Sequence, residues 1–239
     1  TPEVYYTEDR VHSQRDAKLE SRPGWLRCEQ FGAGMITGWG SHHLDIAHWA
    51  MGWEGTGPVA IEGRGEFHAG GLWDVHGAYD VTLTYADGTP MRVWDQFPNG
   101  IRFIGEKGWI FVSRGPAKMT ASDPVAPGQP LKALDASDPK LLEGEIGPGE
   151  VHLYRHRGNH HQNWVDCIRT RAETLVPAET AHRSCSACLL AHIGMKAGRR
   201  LTWNPQTETF VGDERANALL ARAERAPYGT RRAYERLSA

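Results

Sequence analysis

The residues of this chain best suited to chemistry gather in one stretch, Gly38-Trp39-Gly40-Ser41-His42-His43-Leu44-Asp45-Ile46-Ala47-His48-Trp49-Ala50-Met51-Gly52. A neutral imidazole can take a proton from a hydroxyl or hold that hydroxyl by a hydrogen bond. The spacing predicts a tight glycine turn running into a short helix. Gly38 and Gly40 tolerate backbone angles that other residues avoid, Ser41 suits the N-cap, and Gly52 stands where a helix-ending glycine belongs. On that helix His42, Asp45, Ile46 and Trp49 share one face. His42 then lies in the first turn, where the helix dipole opposes a positive ring. Trp39 and His43 flank the turn and could line a pocket. The same spacing also suits histidines that only cap and pack, the commoner outcome for so short a motif.

The elements around this stretch change period along the chain. Thr1 to Gln30 is polar and reads as an extended arm, with a turn at Arg22-Pro23-Gly24. Phe31 to Thr37 reads as an approach strand or loop. Gly57 to His68 is a plausible strand. From Ala78 to Tyr85 the alternation is clear: Tyr79, Val81, Leu83 and Tyr85 point one way, Asp80, Thr82 and Thr84 the other. Asp87-Gly88, Asn99-Gly100 and Glu106-Lys107-Gly108 punctuate the strands Met91–Phe97, Ile101–Ile104 and Trp109–Val112, giving an antiparallel meander. Residues 113–150 are rich in proline and glycine and read as a long surface loop. Three helices are expected after it. The first runs from Asn159 or His160 to about Arg171, with Trp164, Val165 and Ile168 on its inner face. The second is capped by Thr180 and stopped by Gly198, and the third is capped by Asp213 and runs to about Arg225. A short hairpin closed by Asn204-Pro205 separates the last two. Strands first and helices later predict an α+β domain, an antiparallel sheet with helices on one face.

Composition removes several functions. A formal charge of −2 draws neither nucleic acid nor an acidic membrane, and no run of ~18 apolar residues is present to span a bilayer. A start at Thr1 without methionine fits a processed chain or a fragment. Cys185, Cys188 and His192 share a helical face with His182 at its edge, which would suit a metal, but a small-residue packing face explains them more simply. No metal site is assigned. Trp94 and Ile104 lie opposite in phase to Val93 and Phe103, so the sheet is expected to be apolar on both faces. Such a sheet wants a second partner, most simply a homo-oligomer formed through its open face.

Gly40-Ser41-His42-His43-Leu44-Asp45 resembles the substrate-domain motif of the glucose–fructose oxidoreductase, inositol dehydrogenase and MocA family. Arg22-Pro23-Gly24-Trp25, Gly71-Leu72-Trp73-Asp74-Val75 and Tyr85-Ala86-Asp87-Gly88 are similar to that family's bacterial subgroup. So are Asn159-His160-His161-Gln162-Asn163-Trp164, Ala181-His182-Arg183-Ser184 and Gly198-Arg199-Arg200-Leu201-Thr202-Trp203, all in order along the chain. The resemblance implies an open-faced sheet and hydride exchange between NAD or NADP and a sugar or cyclitol. It implies that His42 handles the proton, with Asp45 supporting it and Trp39 and His43 near the substrate. Residues 1–239 would be one substrate-binding and oligomerisation domain.

The sequence departs from the family's pattern. Gly38 stands where the family carries an aspartate, and Lys107 is followed by Gly108 instead of the proline of the family's Glu-Lys-Pro. No Gly-x-Gly-x-x-Gly turn between a strand and a helix is found, so this chain alone is expected to bind no nicotinamide cofactor. The alternative is a non-redox protein on the same scaffold, either a carbohydrate-binding subunit or a metal-assisted sugar lyase or hydrolase.

Overall fold

Alternation builds the sheet. In the computed structural model Val81, Leu83 and Tyr85 are fully buried on one side of strand β2 (His76–Thr84), while Asp80, Thr82 and Thr84 stand on the other. The structure describes residues 24–67, 74–113, 132–150, 159–222, 224, 229, 230 and 235. The arm over 1–23, the Gly71-Leu72-Trp73 stretch, residues 114–131 and Arg231-Arg232 lie outside them.

Strands β1 (Ala60–Phe67), β2, β3 (Pro90–Trp94), β7 (Leu201–Asn204) and β8 (Thr209–Phe210) form one sheet in the order β3-β2-β1-β7-β8. Every strand pair among the described residues is antiparallel. Asp87-Gly88 turns the β2–β3 hairpin as expected, with Gly88 at φ 85° and the Thr89 N–H donating to Asp87 Oδ1. Helix α4 (Ala178–Ala197) lies across β1 and β2, and helix α2 (Gly40–Met51) packs on α4. Gly194 lets α4 approach the sheet, because a Cβ there would stand 2.5 Å from Ile61 Cγ2. Ile61, Val81, Leu83, Leu190, Ala191 and Ile193 form the centre of the core. The result is the expected α+β architecture, with the helices on one face of an open sheet.

Several local expectations are corrected. The meander is two sheets: β4 (Ile101–Gly105), β5 (Gly108–Val112) and β6 (Leu134–Ala136) form a separate three-stranded sheet, and β3 does not pair with β4. Asp95 to Gly100 turns the chain away, and Pro98 within it has no amide to continue a ladder. The 113–150 segment contributes β6 and a 3-10 turn at Pro139–Leu142. The described end of the N-terminal arm is coiled, with a 3-10 turn at Gly24–Arg27.

The open face of the main sheet is not apolar. It carries Glu62, Arg64 and Glu66 beside Asp80, Thr82 and Arg92, and the Arg92 guanidinium bonds both Asp80 oxygens and covers the Trp94 ring at 4.7 Å. The exposed apolar side chains gather elsewhere. Ile104 on β4 is 81% exposed, and Trp164 and Ile168 on α3 (His160–Thr170) are 61% and 47% exposed where an inner face was expected. Pro177, not Thr180, occupies the N-cap of α4, since Thr180 falls one turn inside it. Gly198 ends α4 at φ 62° and Asp213 caps α5 (Glu214–Asn217), which stops well short of Arg225. Among the described residues no helix is long and apolar enough to cross a membrane.

Candidate functional site

The site stretch is more helical than its glycines suggested. Gly34, at φ 76°, turns the chain, and its carbonyl accepts from Thr37 and Gly38 to open helix α1 (Met35–Gly38). Phe31 to Thr37 is therefore loop and then helix, not a strand. Trp39 keeps helical angles (φ −86°, ψ −34°) and donates its amide to Met35, so α1 runs almost directly into α2. Ser41 lies inside α2 and its hydroxyl donates to the Gly38 carbonyl at 3.2 Å; Trp39 holds the N-cap position. Gly40 is the first residue of α2, and a Cβ on it would meet Cys188 Sγ at 3.5 Å, an ordinary packing distance. Gly52 ends the helix at φ 69°, as expected.

The four predicted site residues fall together. Trp39 is buried and its ring sits 5.6 Å from that of His42 and 5.4 Å from that of His43. His42 is exposed and His43 half-buried. The face of His42, Asp45, Ile46 and Trp49 is indeed shared, and it points away from the core, which takes Leu44, Ala47 and His48 instead. Asp45 Oδ1 accepts the Ser184 hydroxyl of α4 at 2.6 Å. Ser184, buried and 139 residues away in sequence, fixes the helix that carries His42. Its place in Ala181-His182-Arg183-Ser184 was the only hint of it, and nothing local paired it with Asp45.

Beneath the site His48 is fully buried, its Nε2 2.5 Å from the Tyr85 hydroxyl, and Tyr85 stacks on Trp53 at 3.6 Å. Burial pushes the His48 imidazole down to about 4, against the pull of Asp45, and burial raises the Tyr85 phenol. Cys185, Cys188 and His192 do not converge. Cys185 is exposed, Cys188 donates its thiol to the Ser184 carbonyl, and His192 Nε2 faces Glu29 at 3.4 Å. Burial pushes the Cys188 thiol up to about 12, so it is protonated and inert at neutral pH. No group of three metal-ligating residues is found among the described residues. A cleft of about 420 Å³ lined by Phe103, Ile110 and Leu141 belongs to the β4–β5 hairpin and contains none of the predicted site residues.

Residues 149–230, which include α3, α4, β7, β8 and α5, match the family model described as "Oxidoreductase family, C-terminal alpha/beta domain". No curated protein matches the chain. Among solved structures the chain is similar to the WlbA dehydrogenase from Bordetella pertussis, crystallised with NADH and UDP-GlcNAcA. That match has 14% identity and a TM-score of 0.47, over 75% of this chain and 48% of that one. It is similar also to the aldose-aldose oxidoreductase from Caulobacter crescentus complexed with glycerol, at 18% identity and a TM-score of 0.48, over 74% of this chain and 50% of that one. The chain thus spans about half the length of these solved structures. Over residues 149–230 it resembles the C-terminal domain of the glucose–fructose oxidoreductase, inositol dehydrogenase and MocA oxidoreductase family.

Proposed function

We propose that residues 1–239 are the substrate-binding and oligomerisation domain of an NAD- or NADP-dependent oxidoreductase acting on a sugar or cyclitol hydroxyl. The observation that supports this most is His42 itself. It is exposed, it stands in the first turn of α2, and its ring lies against buried Trp39. In this reading His42 takes the hydroxyl proton, and Trp39 and His43 line the approach. Asp45 acts through the helix, which its Oδ1 ties to the Ser184 hydroxyl. With Gly38 in place of the family's aspartate, a neighbouring group or water shares the proton work.

Every strand pair among the described residues is antiparallel, whereas a dinucleotide fold is built on parallel strand–turn–helix units. The proposal assigns the nicotinamide to another part of the complete enzyme and leaves the hydroxyl proton to this domain. Association through the open sheet face stays part of the proposal, carried by charged residues such as Arg64, Asp80 and Arg92.

The test is a panel of sugars and cyclitols offered to the complete enzyme with NAD or NADP, read as formation of reduced nicotinamide. Turnover with at least one supports the reading. A second reading, a non-redox carbohydrate-binding subunit, is favoured by Gly38, which removes half of the family's acid–base pair. Calorimetric sugar binding without turnover would select it.

A further inference from the structure

The start of the helical run that carries His42 has an unusual cap. Gly34 holds the N-cap position of α1 and has no side chain to accept the first free amides. The acceptor comes from another strand: the Ile36 N–H donates to Nε2 of His76, 40 residues away, at 3.3 Å. His76 Nδ1 lies 3.1 Å from the Gly77 carbonyl, which can only accept, so the neutral ring carries its proton on Nδ1 and leaves Nε2 to accept. Gly34 is fitted to this contact, because a Cβ on it would stand 2.7 Å from Nε2. Ile36 is fully buried and His76 nearly so, so water does not replace the acceptor.

We propose that His76 is a positioning residue for His42: its neutral ring caps α1 in trans and holds the α1–α2 run in place, and a proton on that ring releases the cap. The chemistry is a swap of partners on one nitrogen. A protonated Nε2 becomes a donor, with the Ala33 backbone as its partner, and leaves the buried Ile36 amide without an acceptor.

The groups facing the ring come from every side. Tyr79 of β2 meets it edge-on at 4.8 Å, and His192 of α4 stands 6.3 Å away. Beyond His192, Glu29 Oε1 binds Lys196 at 2.6 Å and His192 at 3.4 Å, and Asp95 follows β3. Burial, the largest influence, lowers the affinity of His76 for a proton and His192 does the same, whereas Gly77, Ala33 and Asp95 raise it, and the net is a lowered value. Because the folded value lies below the ordinary one, the cap is complete above about pH 6.5 and is lost as pH falls through the lowered value. The cap rests on geometry alone; its consequence for catalysis rests on the proposed role of His42.

Amide hydrogen exchange of Ile36 reads the cap whatever the chain catalyses. Its protection factor, taken relative to the Leu190 amide in α4 to remove global unfolding, should fall about ten- to a hundredfold as pH drops from about 7.5 through the lowered value of the ring. His76→Gln presents an acceptor that does not titrate and should keep Ile36 protected throughout. His76→Phe should leave it weakly protected at both ends. In the complete enzyme His76→Gln should keep turnover at neutral pH and lose less of it on acidification. A pH dependence that persists in His76→Gln, or full protection in His76→Phe, overturns the proposal. If His76→Phe does not fold, the comparison of wild type with His76→Gln decides alone. Exchange that behaves as expected in an enzyme whose turnover ignores His42 would leave the cap standing and sink the proposed function.

Discussion

Acid should destabilise this fold through His48. The ring is fully buried, its Nε2 is committed to the Tyr85 hydroxyl at 2.5 Å, and its Nδ1 has no hydrogen-bond partner among the described residues. A proton added in the folded state would place a charge and an unsatisfied N–H against Trp53 and Tyr85. The folded value is about 4 against 6.5 for the free side chain. The unfolded state therefore binds the proton more readily, and stability is complete above pH 6.5 and falls as pH drops towards 4. At about pH 4.5 the loss from this group comes to about 2.5 kcal/mol, with 1.36 kcal/mol per pH unit. The assay is urea unfolding followed by tryptophan fluorescence at several pH values, for wild type and His48→Gln. His76 and His192 are also lowered and act in the same direction in both proteins, so the difference between the two curves isolates His48. His48→Gln should be less stable at neutral pH and lose less on acidification. Parallel curves from about pH 7 to about pH 4.5 would refute the reasoning.

Three other outcomes follow from the packing and the site. A Cβ at Gly38 meets nothing nearer than Met35 Sδ at 3.8 Å among the described residues, and residue 38 lies one turn before His42. Gly38→Asp should therefore leave thermal unfolding within about 0.5 kcal/mol of wild type and raise turnover severalfold in the complete enzyme; a fall in turnover would contradict this. Gly194→Ala must displace Ile61, 2.5 Å from the new Cβ, and should cost about 1–3 kcal/mol by denaturant unfolding, despite the better helix propensity of alanine. If the domain associates through the charged open face of its sheet, light scattering should show a dimer at low salt that weakens at high salt; salt-insensitive association would point to the apolar side chains of β4 or α3 instead.

Period and turn chemistry were readable because they are local. The Val81, Leu83 and Tyr85 phase, the Asp87-Gly88 turn, and the glycines that end α2 and α4 all depend on neighbours a few residues apart. The helical start of the site was not readable. Two glycines looked like a turn, yet Gly38 ends α1 and Gly40 opens α2, with Trp39 between them at helical angles. The split into two sheets was missed for a related reason, because alternation marks strands but does not say which edges meet. The candidates His42, Trp39 and His43 came from type, spacing and the family resemblance, whereas no local pattern pairs Ser184 with Asp45, 139 residues away, or His76 with Ile36, 40 residues away.

The central claim is that His42 handles the substrate proton, and the most direct measurement compares turnover and thermal unfolding of His42→Ala and His43→Ala in the complete, cofactor-competent enzyme. His42 is exposed at the start of α2 and the helix is held by other residues, so its loss should leave unfolding within about 0.5 kcal/mol of wild type. Turnover should fall by roughly 10²–10⁴-fold, the range of general acid–base catalysis. His43→Ala, whose side chain leaves the helix about 100° away, should reduce turnover far less. Near-normal turnover in His42→Ala, with or without loss in His43→Ala, would contradict the assignment.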